Sequence, residues 1–178
     1  GDSKYIDVLE RSLYNGLLSG VGLDGKSFFY TNAMEVKDHF SHKDLERERA
    51  GWFECSCCPT NICRFIPAVP GYAYAQKENE LFVNLFISST ASLLMHQQPI
   101  EIIQENNYPW DGALSLSIKT KKPNTFNLCI RIPGWAGNTV VPSDLYRFEN
   151  NAVSNPGIKI NSIPVAYEIK NGYAVISH

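Results

Sequence analysis

The sequence predicts an α+β protein, mainly β, in which a helical segment with one hairpin precedes an antiparallel β-sandwich. Three observations lead there. Apolar residues recur at helical spacing near the start, and from Tyr74 onward the repeat falls to two. Two dipeptides of the kind that close hairpins, Asp24-Gly25 and Asn171-Gly172, sit in the two parts. The 178 residues, 44% hydrophobic and 19% charged, suffice for one domain or two small ones with a buried core, and they exclude a disordered chain.

In the first part, Ile6, Leu9, Leu13 and Leu17 form one stripe of a helix. Asp2 or Ser3 can cap its start, and Ser19-Gly20 can stop it. Tyr5, Val8 and Tyr14 widen the apolar surface, so the helix expects neighbours on more than one side. Residues 21–30 read as a hairpin around Asp24-Gly25. The charged run 37–50 reads as a solvated helix or loop. Pro59-Thr60 is expected to open a short helix through Phe65, with Thr60 a good N-cap, and Pro67 must end or kink it.

In the second part, Leu81, Val83, Leu85 and Ile87 alternate with Phe82, Asn84, Phe86 and Ser88. Leu114, Leu116 and Ile118 make a second strand, and Phe126, Leu128, Ile130 and Ile132 a third. Asn171-Gly172 joins 167–170 to 173–177. Several short strands with turns between them form an antiparallel sandwich. Residues 133–161, rich in Pro, Asn and Ser, are expected to be the most mobile stretch.

A formal net charge of -2 argues against a general nucleic-acid binder, which carries a strongly basic face. No apolar run approaches the ~18 residues of a membrane span. No signal peptide is expected at Gly1-Asp-Ser-Lys, because no apolar region follows. A leading Gly without Met reads as an expression scar, so the native ends are expected to lie outside this chain. The compartment is open between cytoplasmic and periplasmic or secreted.

Of the five cysteines, Cys55, Cys57, Cys58 and Cys63 fall within nine residues, and Cys129 stands apart. A disulfide scaffold spreads an even number of cysteines over the whole chain, whereas clustered thiols point to metal or redox chemistry. The informative segment is Trp52-Phe-Glu-Cys-Ser-Cys-Cys-Pro-Thr-Asn61, a loop running straight into a helix. First-turn N–H groups favour anions and lower thiol pKa values there, and zinc would lower them further. Zinc takes about four ligands, which this cluster alone cannot easily supply. His39 and His42 are near in sequence but form only a weak H-x-x-H signal. The competing reading is a group of small buried apolar residues, and Cys63 and Cys129 fit it. Trp52 could stack on a sugar, although core packing is the stronger expectation for it, and for Trp110 and Trp135 as well. No Ser/His/Asp set, Gly-rich phosphate loop or basic patch stands out.

The chain also resembles a family: the zinc-dependent, cysteine-nucleophile glycoside hydrolases typified by β-L-arabinofuranosidases. The resemblance covers nearly the whole chain through ordered landmarks. They are Tyr5-Ile-Asp-Val-Leu-Glu-Arg-Ser-Leu-Tyr-Asn-Gly16, Leu23-Asp-Gly-Lys-Ser-Phe-Phe-Tyr30, Cys55-Ser-Cys-Cys-Pro-Thr-Asn61, Leu81-Phe-Val-Asn-Leu-Phe86, Tyr108-Pro-Trp-Asp-Gly112 and Arg131-Ile-Pro-Gly-Trp-Ala136. It implies that residues 1–74 are the C-terminal part of an (α/α)6 catalytic barrel and residues 75–178 a β-sandwich domain, incomplete at its C-terminus. The chain is thus expected to be a fragment, inert alone. Cys57 matches the nucleophile, which in the family is also a zinc ligand. Cys58 matches a second ligand of Zn2+, and Cys55 carries over no role. The family's glutamate acid/base and its Glu-x-Cys zinc ligands have no counterpart among these residues. The implied partner is a plant-type oligosaccharide or glycoside, with no nucleic acid and no membrane, and self-association through residues 1–74 is expected. The alternative is a non-catalytic sandwich that binds carbohydrate or packs on a partner, with a structural cysteine loop.

Overall fold

A computed structural model describes residues 1–30, 48–55, 57–141, 143–150 and 156–177. The described chain is mostly β-sheet with few helices. It divides into two compact units, residues 1–8 with 70–178, and residues 9–69.

The first helix begins where the sequence places it. Helix α1 spans Ser3–Arg11, and the Asp2 carboxylate accepts a hydrogen bond from the Lys4 N–H at 3.0 Å. The winding then loosens to a π-helical stretch, Ser12–Leu17, and tightens to a 3₁₀ turn, Leu18–Gly20. The stripe expected from a uniform helical period is therefore broken. Leu13 is buried, while Ile6, Leu9 and Leu17 are only half-buried; the i→i+5 winding turns Leu17 off the face that a uniform helix would give it. Tyr5 and Val8 are exposed.

In the unit of residues 9–69, Phe28 exchanges two backbone hydrogen bonds with Ala50, each 3.0 Å, and also bridges Val21. Helix α2 spans Cys57–Phe65, so it starts two residues before the expected Pro59. Thr60 is therefore no N-cap; its hydroxyl donates back to the Cys57 carbonyl at 3.0 Å. Pro67 ends the helix as expected, within a 3₁₀ turn, Ile66–Ala68. Most of the charged run 37–50 lies outside the described residues.

The other unit is built on sheets. After the one-turn helix α3, Pro70–Ala73, come β1 (Tyr74–Lys77), β2 (Glu80–Val83), β3 (Ser89–Met95), β4 (Gln98–Asn106), β5 (Leu114–Thr120), β6 (Asn127–Arg131), β7 (Lys159–Ile160), β8 (Ile163–Pro164), β9 (Glu168–Lys170) and β10 (Tyr173–Ser177). One sheet has the order β1-β2-β6-β10-β9, a second β3-β4-β5, and β7-β8 is a small ribbon. The expected all-antiparallel pairing needs correction, because β2 runs parallel to β6, with Leu81 opposite Leu128 and Val83 opposite Ile130. Alternation shows which side chains share a face, not which way a neighbouring strand runs.

A common core is drawn from both larger sheets: Leu81 and Val83 meet Met95, Ile100 and Ile102, with Phe86 and Phe126. The opposite face of the five-stranded sheet is covered as well. There Phe82, Cys129 and Tyr173 cluster, and the Tyr173 hydroxyl donates to the Asn84 amide oxygen at 2.8 Å. This double cover is why residues 81–86 are all buried rather than alternately exposed. The N-terminal half of α1 docks on that face: the Arg131 guanidinium donates to Asp7 at 2.7 Å, and the Asp7 carboxylate also accepts the Gly134 N–H at 3.2 Å.

The Asn171-Gly172 turn has both residues at positive φ, 51° and 77°, as its hairpin requires. A methyl group on Gly172 would stand 2.8 Å from the Ser3 Cβ and closer still to its hydroxyl. Gly172→Ala is therefore expected to cost about 2 kcal/mol or more, the left-handed strain plus displacement of α1's first turn. A lower urea midpoint with unchanged slope would show it.

Candidate functional site

The hairpin 21–30 is set by its own turn chemistry. Gly25 adopts φ 67°, and the Asp24 carboxylate accepts the Lys26 N–H at 3.0 Å and the Ser27 hydroxyl at 3.2 Å. Its second arm pairs at Phe28 with Ala50, at the entrance to the cysteine loop. That pairing lets the Phe53 ring rest against Phe28 at 5.2 Å and against Tyr30 at 5.5 Å. The Tyr30 hydroxyl then lies 3.5 Å from the Cys57 Sγ.

Cys57 is the first residue of α2, and its thiol is exposed. Its carbonyl is tied down by the Thr60 hydroxyl and by the Asn61 amide at 2.8 Å, and Arg64 holds Asn61 in turn at 2.6 Å. Its Sγ is 3.7 Å from that of half-buried Cys58. The Tyr30 hydroxyl, then the Cys55 and Cys58 thiols, hold the Cys57 thiol below its ordinary pKa. Burial and the adjacent Cys57 push Cys58 upward. Tyr30 is raised because it faces the thiols of Cys57 and Cys55, so it stays protonated and can donate. Cys57 is thus the thiol of the pair that ionises first.

Two thiolates bound at about 2.3 Å to one tetrahedral zinc stand roughly 3.8 Å apart. The 3.7 Å between Cys57 and Cys58 fits that requirement for two ligands. Among the described residues no group of three or more His, Cys, Asp or Glu side chains is disposed to hold a metal. His39 and His42 lie outside the described residues.

Other expectations fare differently. Cys129 is buried in β6, 1% exposed, and burial pushes its thiol up to about 11. Cys63, expected to be buried, is exposed on α2. All three tryptophans, expected to pack in a core, are exposed: Trp52 75%, Trp110 86% and Trp135 49%. Trp135 sits in a 3₁₀ turn, Gly134–Gly137, and stacks on Tyr108 with ring centroids 6.4 Å apart. Tyr30 was given no role by the sequence; its one signal is its place at the end of the hairpin landmark. Native iodoacetamide treatment at pH 8 is expected to modify Cys57 and leave Cys129 untouched until denaturant is added, as peptide mass mapping would show.

Comparison with known proteins places the chain in a family. The family described as "Beta-L-arabinofuranosidase, GH127 catalytic domain" matches residues 1–71, and the "GH127 middle domain" of the same enzymes matches residues 80–178. A non-reducing end β-L-arabinofuranosidase from Bifidobacterium longum subsp. longum is 34% identical over 142 residues, 75% of this chain and 21% of the relative. The structure of the GH127 β-arabinofuranosidase BT3674 superposes with a TM-score of 0.87 at 43% identity, over 100% of this chain and 27% of that one. Ara127N-Se, a GH127 β-L-arabinofuranosidase from Geobacillus stearothermophilus T6, gives 0.81 at 37% identity, over 99% and 26%. The chain therefore spans about a fifth to a quarter of the relatives it matches. With profiles matched across both units and relatives this similar, the chain belongs to the GH127 β-L-arabinofuranosidase family.

Proposed function

We propose that these residues are part of a retaining glycoside hydrolase that acts on β-L-arabinofuranosides, with Cys57 as nucleophile. Residues 1–74 would belong to the end of its catalytic (α/α)6 barrel and 75–178 to its β-sandwich. The observation that carries the reading is the exposed Cys57 thiol at the start of α2, faced by the Tyr30 hydroxyl at 3.5 Å. The Bifidobacterium relative is a non-reducing end β-L-arabinofuranosidase, which supports a terminal sugar as substrate.

The chemistry follows from the thiol's surroundings. The Cys57 sulfur attacks the anomeric carbon as the bond to the aglycone oxygen breaks, and an acid group protonates that oxygen. Water then attacks the same carbon, the sulfur departs with its electron pair, and the former acid takes the water's proton. Among the described residues, the contacts above bring no carboxylate to Cys57. Cys57 and Cys58 would hold a zinc ion together with further ligands, and the zinc would keep the thiolate deprotonated at neutral pH.

Two measurements test this. Early-time proton NMR of methanolysis by the full-length protein should show the β-anomer forming first; an α-anomer first would refute the double displacement. The isolated 178-residue chain should release no phenol from an aryl β-L-arabinofuranoside above buffer, since losing general-acid help costs about 10²–10⁴-fold and positioning is lost with it. Turnover by the isolated chain that disappears in Cys57→Ala would overturn that expectation.

A further inference from the structure

We infer that Tyr30 is a positioning residue for the second half of this reaction, its hydroxyl, 3.5 Å from the Cys57 Sγ, holding the sulfur as it leaves the sugar. The inference rests on the reading of Cys57 as the nucleophile.

Both ends of the contact are fixed. The Tyr30 ring is packed on Phe53 at 5.5 Å, and Phe53 on Phe28 at 5.2 Å. Phe28 is tied by two backbone hydrogen bonds to Ala50. On the other side, Cys57 opens a nine-residue helix with its carbonyl bonded by Thr60 and Asn61. The hydroxyl is therefore aimed by a rigid aromatic group at an atom of fixed position, the arrangement that makes a donor effective without reorganisation.

A phenol hydroxyl carries one proton to donate, and a thiolate can only accept. The charge on sulfur changes through the cycle. It is full before attack, small in the thioglycoside, and full again as water displaces the sulfur. In that displacement the water oxygen–carbon bond forms, the carbon–sulfur bond breaks, the electron pair returns to Sγ and the water's proton passes to the acid/base carboxylate. A donor aimed at Sγ stabilises the charged sulfur, so it favours departure and holds back attack. Removing it slows the second step more than the first, because in the first the gain in the sulfur's nucleophilicity offsets the lost help to its ionisation. With a good aryl leaving group the glycosyl–Cys57 intermediate then accumulates.

The experiment compares wild type, Tyr30→Phe and Cys57→Ala in the full-length protein by stopped-flow with 4-nitrophenyl β-L-arabinofuranoside. Tyr30→Phe is expected to lower steady-state kcat by about 10-fold or more. KM should fall with it, and a burst of about one nitrophenol per chain should precede the steady state. Intact-mass and peptide analysis should find one pentosyl group on Cys57. Zinc per chain, read by atomic emission, should match wild type. Phe53→Leu, which loosens the Tyr30 ring and keeps the hydroxyl, is the second variant and should show a smaller burst of the same kind. A kcat within twofold of wild type, or a loss with neither burst nor adduct, overturns the inference. Full turnover in Cys57→Ala would instead remove the nucleophile reading itself. An inactive Cys57→Ala beside a burst-free Tyr30→Phe removes this inference alone.

Discussion

Cys57→Ser in the full-length protein is expected to lower turnover of an aryl β-L-arabinofuranoside by about 10⁴-fold or more, the scale of losing a nucleophile. A serine hydroxyl keeps nearly the same volume but stays protonated where the thiol ionises. The Tyr30 hydroxyl that holds the Cys57 thiol low has no comparable effect on an alcohol of much higher pKa. Cys129→Ser is the matched control. Cys129 is buried in β6, between Phe82 and Val175 in the sheet, and its thiol is raised to about 11. Its substitution should leave kcat within about twofold at low temperature. It should still cost about 1–3 kcal/mol of stability, because a hydroxyl replaces a weakly polar thiol in an apolar cluster. Steady-state kinetics and thermal melts on both variants separate these effects, and equal kinetic losses would mean that the thiols serve only packing.

Asp7→Ala is expected to destabilise the protein by about 3–5 kcal/mol, the cost of removing one member of a buried ion pair. The Arg131 side chain is 0% exposed and that of Asp7 16%, with 2.7 Å between them. Asp7 is also the acceptor for the Gly134 N–H, so its loss frees the turn that carries Trp135. For a chain of this size the melting midpoint should fall by about 10 °C. The double variant Asp7→Ala/Arg131→Met should recover most of that, since an apolar side chain of similar length needs no counter-charge. A loss below about 1 kcal/mol for the single variant would show that the pair does not anchor α1 to the sheet.

Much of the local structure was legible in the residues. The start of α1, the Asp24-Gly25 and Asn171-Gly172 turns and the end of α2 before Pro67 all follow from interactions between near neighbours, which any context preserves. The cysteine loop and its run into a helix were legible for the same reason, and the six ordered landmarks were enough to point to the family. The hairpin of β3 and β4 was not foreseen. Its turn uses His96 and Gln97 at φ 51° and 62°, positions where a sequence signal needs Gly or Asn. The turn between β7 and β8, with Asn161 and Ser162 at φ 50° and 70°, was not foreseen either: its Asn suits such a turn, but Ser stands where Gly gives the signal.

The rest was decided by tertiary structure. The parallel pairing of β2 with β6, the burial of both faces of residues 81–86, the Asp7–Arg131 pair and the approach of Tyr30 to Cys57 each join residues far apart in the chain. Local pattern says which side chains share a face. It carries no term for the free energy gained when two distant faces meet, and that term selects the partners. The sequence by itself thus determined the start of α1, the Asp24-Gly25 and Asn171-Gly172 turns, the end of α2 and the family. Only the folded chain decided that a phenol hydroxyl faces the Cys57 thiol, and that a buried arginine waits opposite the carboxylate of the first helix.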